Sequence, residues 1–407
     1  MRIKVKSMLT NSFLQAAEII DVLEQNGNEA YFVGGCVRDL LLGRDVQDID
    51  IATSASPDEV QILFDKVIPV GIEHGTVIVR NNGVSYEVTT FRQDGTYTDQ
   101  RHPDKVTYVT NIEEDLKRRD FTINALAMDK HGEIIDLFAG KADIQKKQIR
   151  SVGNAHDRFL EDPLRIVRAL RFSSQLGFTI EKHTLAQMKK LNKEIATVAV
   201  ERLTNEFTSL LQGDFVHIGI DYFIEIEGYR YVPIFKDHHY LINKLPIPLT
   251  PFYSFAEIIA LFQYLHPEIK IVEWVKAWKC SNRTKNEAIN LSEALMYYHD
   301  KGIDDWLIYR LNRSYIHSFV HLIELLFKEK NLCVENLLAA KDAIIIQSKK
   351  DLQINGRDLL ELFPGIKQGP WMKEMIEQIE FNVVTNQLEN NKQVIKEWIL
   401  CHPPEVN

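Results

Sequence analysis

Apolar positions Phe13, Leu14, Ala17, Ile20 and Leu23 recur at helical spacing and stop at Gly27, predicting an amphipathic helix over 11–26. Residues 31–33 read as a short strand running into Gly34-Gly35. A helix through Val37 and Leu40 to Leu42 follows, closed by Gly43. Residues 48–52 alternate as a strand and 57–66 read as a helix. The runs 76–79 and 84–91 pair as a hairpin around Asn82-Gly83. A polar, turn-rich segment, 92–104, precedes a strand at 106–109.

Past about Asp157 the alternation gives way to helical spacing, at 163–177, 185–191 and 202–211. A proline cluster at 245–251 marks a boundary. Further helices are predicted at 257–263, 273–279, 285–299 and 314–329, and a tail from about Leu352 contains Gly365 and a Gly369-Pro370 stop. The expected architecture is an α+β head followed by an elongated all-α neck, body and tail. Its divisions are 1–150 for the head, 151–245 for the neck, 246–350 for the body and 351–407 for the tail.

Composition narrows the class. A chain of 407 residues, 45% hydrophobic and 26% charged, has room for two or three domains and excludes long disorder or a collagen-like repeat. No apolar run approaches the roughly 20 residues of a membrane helix. The polar start, Met1 to Lys6, does not read as a signal core. Four dispersed cysteines suggest neither disulfides nor a zinc knuckle, so a reducing, cytoplasmic setting is expected. With 48 basic against 57 acidic residues, the net charge is −9. That excludes a protein basic on every face but leaves room for a local groove. Residues 140–172 stand out, with eight basic and four acidic side chains.

The candidate chemistry centres on Asp48-Ile49-Asp50. On a strand, residues two apart face the same way, about 7 Å apart, so both carboxylates can converge on a divalent cation while Ile49 and Ile51 are buried. An isolated Asp-x-Asp is more often an acidic turn edge. Gly34-Gly35 upstream changes the odds, because a glycine turn opening a helix exposes backbone N–H groups suited to a triphosphate, with Arg38 as a charged donor. Glu87, in the otherwise apolar or Thr-rich run 85–91, is the candidate third carboxylate. Its position fits a solvent-facing site on an edge strand equally well. Further on, Asp162 reads as an N-cap with Pro163 at the first helical position, and Arg165 shares its face. A carboxylate accepts and a guanidinium donates, so the pair suits the amine and ring nitrogen of C or A and opposes the carbonyl of U or G. The bland alternative is a capped helix with a surface ion pair.

These residues carry a resemblance. Residues 34–43 (GGCVRDLLLG) with 48–53 (DIDIAT) resemble the signature of class II nucleotidyltransferases of the polymerase-β superfamily. Residues 118–127 (RRDFTINALA) resemble their ribose-recognising segment, 161–165 (EDPLR) the base-reading motif, and 168–172 (RALRF) its continuation. Glu201-Arg202-Leu203 with Glu206 is similar to the helix-stabilising motif that follows. Within that superfamily the match is to tRNA nucleotidyltransferases of the bacterial CCA-adding type.

The resemblance implies template-independent addition of C, C and A to the tRNA 3′ end from CTP and ATP, with Mg²⁺ and release of pyrophosphate. Asp48 and Asp50 would bind metal and Glu87 would complete activation of the primer hydroxyl. Gly34, Gly35 and Arg38 would hold the triphosphate, with Arg119, Asp120 and Asn124 at ribose and phosphate. Asp162 and Arg165 would read the base, supported by Arg168 and Arg171. The segment 92–103 resembles the loop that switches such enzymes from CTP to ATP. Residues 71–76 (GIEHGT) depart from the Gly-Arg-Arg-Phe pattern of bacterial poly(A) polymerases. An A-adding or poly(A)-type polymerase shares the head and stays open as an alternative, as does a non-catalytic RNA-binding protein, which the intact Asp pair disfavours. The helical remainder, with Lys189, Lys190, Lys193, Lys276 and Lys279, is expected to grip tRNA by shape and phosphate. A homodimer stays open; a membrane partner is not expected. His156-Asp157, His238-His239 and His299-Asp300 lack the further ligands of a metal site, and Trp274, Trp278, Trp306 and Phe319 read as core.

Overall fold

The structure, a computed structural model, describes residues 10–94, 106–246, 248–328 and 332–404. The chain divides into two units between Asn243 and Lys244, just ahead of the proline-rich run.

The first unit is built on strands β1 (Ala30–Val33), β2 (Asp50–Thr53), β3 (Val67–Gly71), β4 (Thr76–Asn81), β5 (Val84–Thr90), β6 (Arg92–Asp94), β7 (Val106–Tyr108), β8 (Leu126–Met128) and β9 (Ile134–Asp136). Seven form one mixed sheet in the order β3-β4-β5-β2-β1-β8-β9, and β6 pairs separately with β7. Only the β2–β5 pair within the large sheet is parallel. Its register sets Asp50 opposite Glu87, and parallel partners point to the same face.

The strands follow from burial. On the β4–β5 hairpin, Val77, Val79, Tyr86 and Val88 turn inward while their neighbours face out. β8 lies mid-sheet with all three residues fully buried, so it shows no alternation at all. The helix Asn11–Gln25 covers the sheet with Phe13, Ala16, Ile19, Ile20 and Leu23, and Phe13 meets Phe32 edge-on at 5.0 Å. Its buried face includes Ala16 and Ile19 in place of the expected Leu14, which is 55% exposed. The strand predicted at 48–52 begins at Asp50, so Asp48 and Ile49 belong to the connection before it. The strands β3, β8 and β9 were not expected. The polar segment predicted at 92–104 opens as β6; the rest of the expected switching loop, 95–103, lies outside the described residues.

Helices Ala155–Glu161, Leu164–Leu176, Lys182–Lys190, Val200–Leu211 and Val216–Glu225 complete this unit. Leu164–Leu176 is buried along most of its length, including Ile166, Val167, Ala169 and Leu170.

The second unit is wholly helical among its described residues, from Phe255–Leu265 to Lys392–Cys401. Trp274 stacks on Phe262 at 5.3 Å and Trp278 packs on Phe255 at 5.0 Å, with both indoles fully buried. A separate apolar cluster holds Leu359, Trp371, Met375, Ile379, Val383, Ile395 and Ile399. Gly369-Pro370, expected as a stop, opens the helix Pro370–Val384, where proline at the first position loses no intrahelical bond. The architecture is a polymerase-β-like mixed-sheet head followed by helices. No helix among the described residues is long and apolar enough to cross a membrane.

Candidate active site

A cleft of about 680 Å³ opens in the first unit between the sheet and the helix Leu164–Leu176. Of the residues expected in the site, Gly34, Gly35, Arg38, Asp50, Glu87, Arg119, Asp120, Asn124, Asp162, Arg165, Arg168 and Arg171 all line it. Asp48 does not. It is exposed, in the connection ahead of β2, and reaches Asp50 through its charge.

One end of the cleft is the turn from β1 into the helix Gly35–Leu42. Gly34 caps this helix at φ 74°, a conformation that disfavours any Cβ. A Cβ there would also come within 2.9 Å of an Arg119 Nη1, so the glycine lets that guanidinium lie against the turn. Arg38 is held in place from both sides. Its Nε and Nη2 donate to Asp39 at 3.0 and 2.8 Å, and its Nη1 donates to Asn124 Oδ1 at 2.6 Å.

The sheet wall carries the acids. Burial, then Glu87, push the Asp50 carboxyl up to about 6; Asp48 adds to this, and Arg119 opposes it. β5 is an interior strand, so Glu87 is not the edge position that remained open from sequence. Among the described residues no three His, Cys, Asp or Glu side chains gather into a metal cage.

The helix wall carries the bases. Asp120 accepts from Arg168 Nε and Nη2 at 2.8 and 2.6 Å, from Asn124 Nδ2 at 3.1 Å and from the Phe121 N–H at 2.7 Å. Burial alone would raise its pKa, yet Arg168 and these donors take it down to about 2. Arg168 also reaches Glu206 at 3.5 Å, and Arg171 faces the same carboxylate at 3.0 Å.

Asp162 and Arg165 both line the cleft, but each has a strong partner elsewhere. Asp162 accepts from Arg202 Nη1 and Nη2 at 3.2 and 2.8 Å and from the Leu164 N–H at 3.1 Å. Arg165 donates to Glu161 Oε2 at 2.7 Å and to the backbone carbonyls of Arg158 and Arg118 at 3.1 and 3.2 Å. The surface ion pair of the bland alternative is thus replaced by two flanking pairs, Arg165 with Glu161 and Asp162 with Arg202. Asp162 sits in extended backbone between two helices, whereas Glu161 ends the helix Ala155–Glu161.

Sequence reasoning missed Asp115 as a site support, and it named Arg202 only within the helix-stabilising motif, without its pairing to Asp162. Asp115 is fully buried and takes Arg118 Nε at 2.9 Å and Arg119 Nη2 at 2.9 Å, which hold its carboxyl below the usual range against the pull of burial. The signal was present: Asp115, Arg118 and Arg119 stand at the three- and four-residue spacing of helical neighbours.

Comparison with known proteins agrees with this layout. Residues 30–150 match the poly A polymerase head domain family, 177–237 the RNA and SrmB-binding site of polymerase A, and 252–399 the tRNA nucleotidyltransferase domain 2 family. The chain resembles the CCA-adding enzyme of Bacillus stearothermophilus solved in complex with CTP, at 35% identity and TM-score 0.86, covering 97% of this chain and 98% of that one. At 21% identity and TM-score 0.63, the Thermotoga maritima CCA-adding enzyme complexed with tRNA shares the fold, over 99% of each chain. A CCA-adding enzyme of Anoxybacillus flavithermus is 42% identical over 98% of this chain and its own full length. With a further relative of that name in Oceanobacillus iheyensis at 51% identity, over 98% of this chain and all of the relative, the chain belongs to the family of CCA-adding enzymes and is a tRNA nucleotidyltransferase.

Proposed function

We propose that the chain completes the 3′ end of tRNA by adding C, C and A from CTP and ATP without a template, releasing pyrophosphate at each step. The observation that supports this most is the single cleft lined by a glycine turn, a carboxylate pair on adjacent strands and the Asp162 and Arg165 side chains.

Gly34, Gly35 and Arg38 bind the triphosphate through N–H groups at a helix start and a fixed guanidinium. Asp50, with Asp48 behind it, suits Mg²⁺: the neighbouring acids that raise the Asp50 pKa leave negative charge for a cation to neutralise. Two carboxylates without a closed cage also match how this ion binds, its remaining positions filled by water and substrate phosphate. When bound, the ion supplies charge neutralisation on the phosphates and a lowered pKa for the attacking hydroxyl. Glu87, beside Asp50, orients the primer 3′-hydroxyl and takes up its proton. Arg119 contacts ribose and phosphate, while Asp120 and Asn124 fix Arg168 and Arg38 there.

Asp162 accepts from the exocyclic amine of C or A, and Arg165 donates to the neighbouring ring acceptor. UTP and GTP would set a carbonyl against Asp162, opposing two acceptors where C or A supplies a donor. Incubation with tRNA lacking its last three nucleotides, CTP and ATP, followed by sequencing of the product ends, tests the proposal. Ends of CCA are expected. A run of A alone would favour the poly(A)-type alternative, and unchanged ends would overturn both.

A further inference from the structure

We propose that the Phe172 ring is a positioning residue for the nucleotide, gathering the guanidinium groups of Arg38, Arg168 and Arg171 by cation–π attraction. The inference rests on the nucleotide reading of the cleft. Phe172 lies on the helix Leu164–Leu176, is 4% exposed and lines the cleft. Three guanidinium carbons stand near its ring centre: Arg171 at 4.5 Å, Arg38 at 5.3 Å and Arg168 at 5.4 Å. All fall within the roughly 6 Å over which a ring face attracts a cation. Phe121 meets the ring edge-on at 5.8 Å and fixes its plane.

Three cations around one point repel, and carboxylates compensate them unevenly. Arg38 has Asp39, and Arg168 has Asp120. Arg171 shares Glu206 with Arg168. Burial, then Arg168, pull the Arg171 guanidinium below its ordinary pKa. It is the least compensated of the three and stands nearest the ring.

A further carboxylate would steady these side chains but would also repel a triphosphate. An aromatic face attracts the cations through its quadrupole and carries no net charge. Its attraction also leaves in-plane N–H donors available to a ligand. A leucine would fill the volume without this effect. The ring further ties two elements together, because Arg38 comes from the helix Gly35–Leu42 at the phosphate end, and Arg168 and Arg171 from the opposite wall.

The test replaces Phe172 in the full chain with p-fluoro-, 3,5-difluoro- and 3,4,5-trifluorophenylalanine, which withdraw charge from the ring face at nearly constant shape. The Kd for CTP is read by calorimetry, single-nucleotide addition gives KM and kcat, and a thermal melt reports folding. Kd and KM should climb with each fluorine, reaching about tenfold for the trifluoro ring. The melting temperature should stay constant and kcat should change far less than KM. Phe172→Tyr should restore near-normal affinity and Phe172→Leu should resemble the trifluoro ring. Should Phe172→Leu fail to fold, the fluorine series decides alone. A Kd that stays flat across the series, or rises only in step with a falling melting temperature, overturns the proposal while the nucleotide reading stands. Failure of the unmodified chain to bind CTP overturns the nucleotide reading itself.

Discussion

Asp50 and Asp120 line the same cleft, yet their surroundings drive them in opposite directions. Asp50 meets burial and the charge of Glu87 with only Arg119 in opposition, and its carboxyl rises to about 6. Asp120 is more deeply buried, but a two-pronged Arg168, an amide and a backbone N–H bring it down to about 2. Burial acts on both; the supply of donors decides. The helix wall is therefore complete within the protein, every acid matched to a base. The sheet wall is left short of positive charge, which is where a cation and the reacting groups are proposed to enter.

The widest difference should come from the same substitution on each wall. Asp50→Asn is expected to cut addition of both C and A by about a thousandfold, since it removes a carboxylate that acts in the transition state. Its stability in chelator should be unchanged or higher, because one of two repelling acids is gone. Addition within tenfold of the unsubstituted chain would remove Asp50 from the chemistry.

Asp120→Asn should do the reverse, lowering stability by about 2 kcal/mol, the cost of a pKa displaced by nearly two units from the ordinary carboxylate value. The folded pKa is depressed, so this contribution is complete above the unfolded value near 4. It fades as pH falls toward about 2. Urea unfolding at pH 7 should separate the two proteins, and the gap should close between about pH 4 and pH 2. A gap that persists at pH 2 would assign the effect to shape instead of charge.

These contrasts mark what the sequence made legible. Asp50 and Glu87 could be found because period-two alternation puts them on strands, and neighbouring strands then bring them together. The role of Asp48 could not be read so directly, because alternation does not fix where a strand starts: β2 pairs with β5 only from Asp50, opposite Glu87, and Asp48 lies outside that ladder. Strand β8 escaped because a three-residue strand buried on both faces has no pattern to show. On the helix wall the residue types were visible but their pairing was not. Spacing suggested Asp162 with Arg165. The partner that takes Asp162, Arg202, lies forty residues on, and only the packed helices bring it near.

That pairing leads to two smaller tests. Asp162→Ala should weaken use of CTP and ATP and narrow their advantage over UTP and GTP by about 1–3 kcal/mol, because the clash of two opposed acceptors is no longer imposed on the wrong base. It should also cost up to about 1 kcal/mol of stability, because the Leu164 N–H loses its cap. Competition between labelled CTP and UTP separates the two effects. A loss of stability with discrimination intact would make Asp162 a cap alone.

Arg202→Lys asks whether discrimination needs Asp162 merely present or also aimed. Two guanidinium nitrogens hold the two Asp162 oxygens at 3.2 and 2.8 Å, a fork that fixes the carboxylate plane. Lysine keeps the positive charge but offers a single point of attachment, so the plane is free to turn. A turned carboxylate still attracts an amine and still repels a carbonyl, but neither at the best angle. Discrimination against UTP should therefore fall by less than in Asp162→Ala, by about 1 kcal/mol or roughly fivefold, with kcat for C addition nearly unchanged. A loss as large as that of Asp162→Ala would mean that Arg202 itself contacts the base. No change at all would mean that the Leu164 N–H is enough to aim the carboxylate.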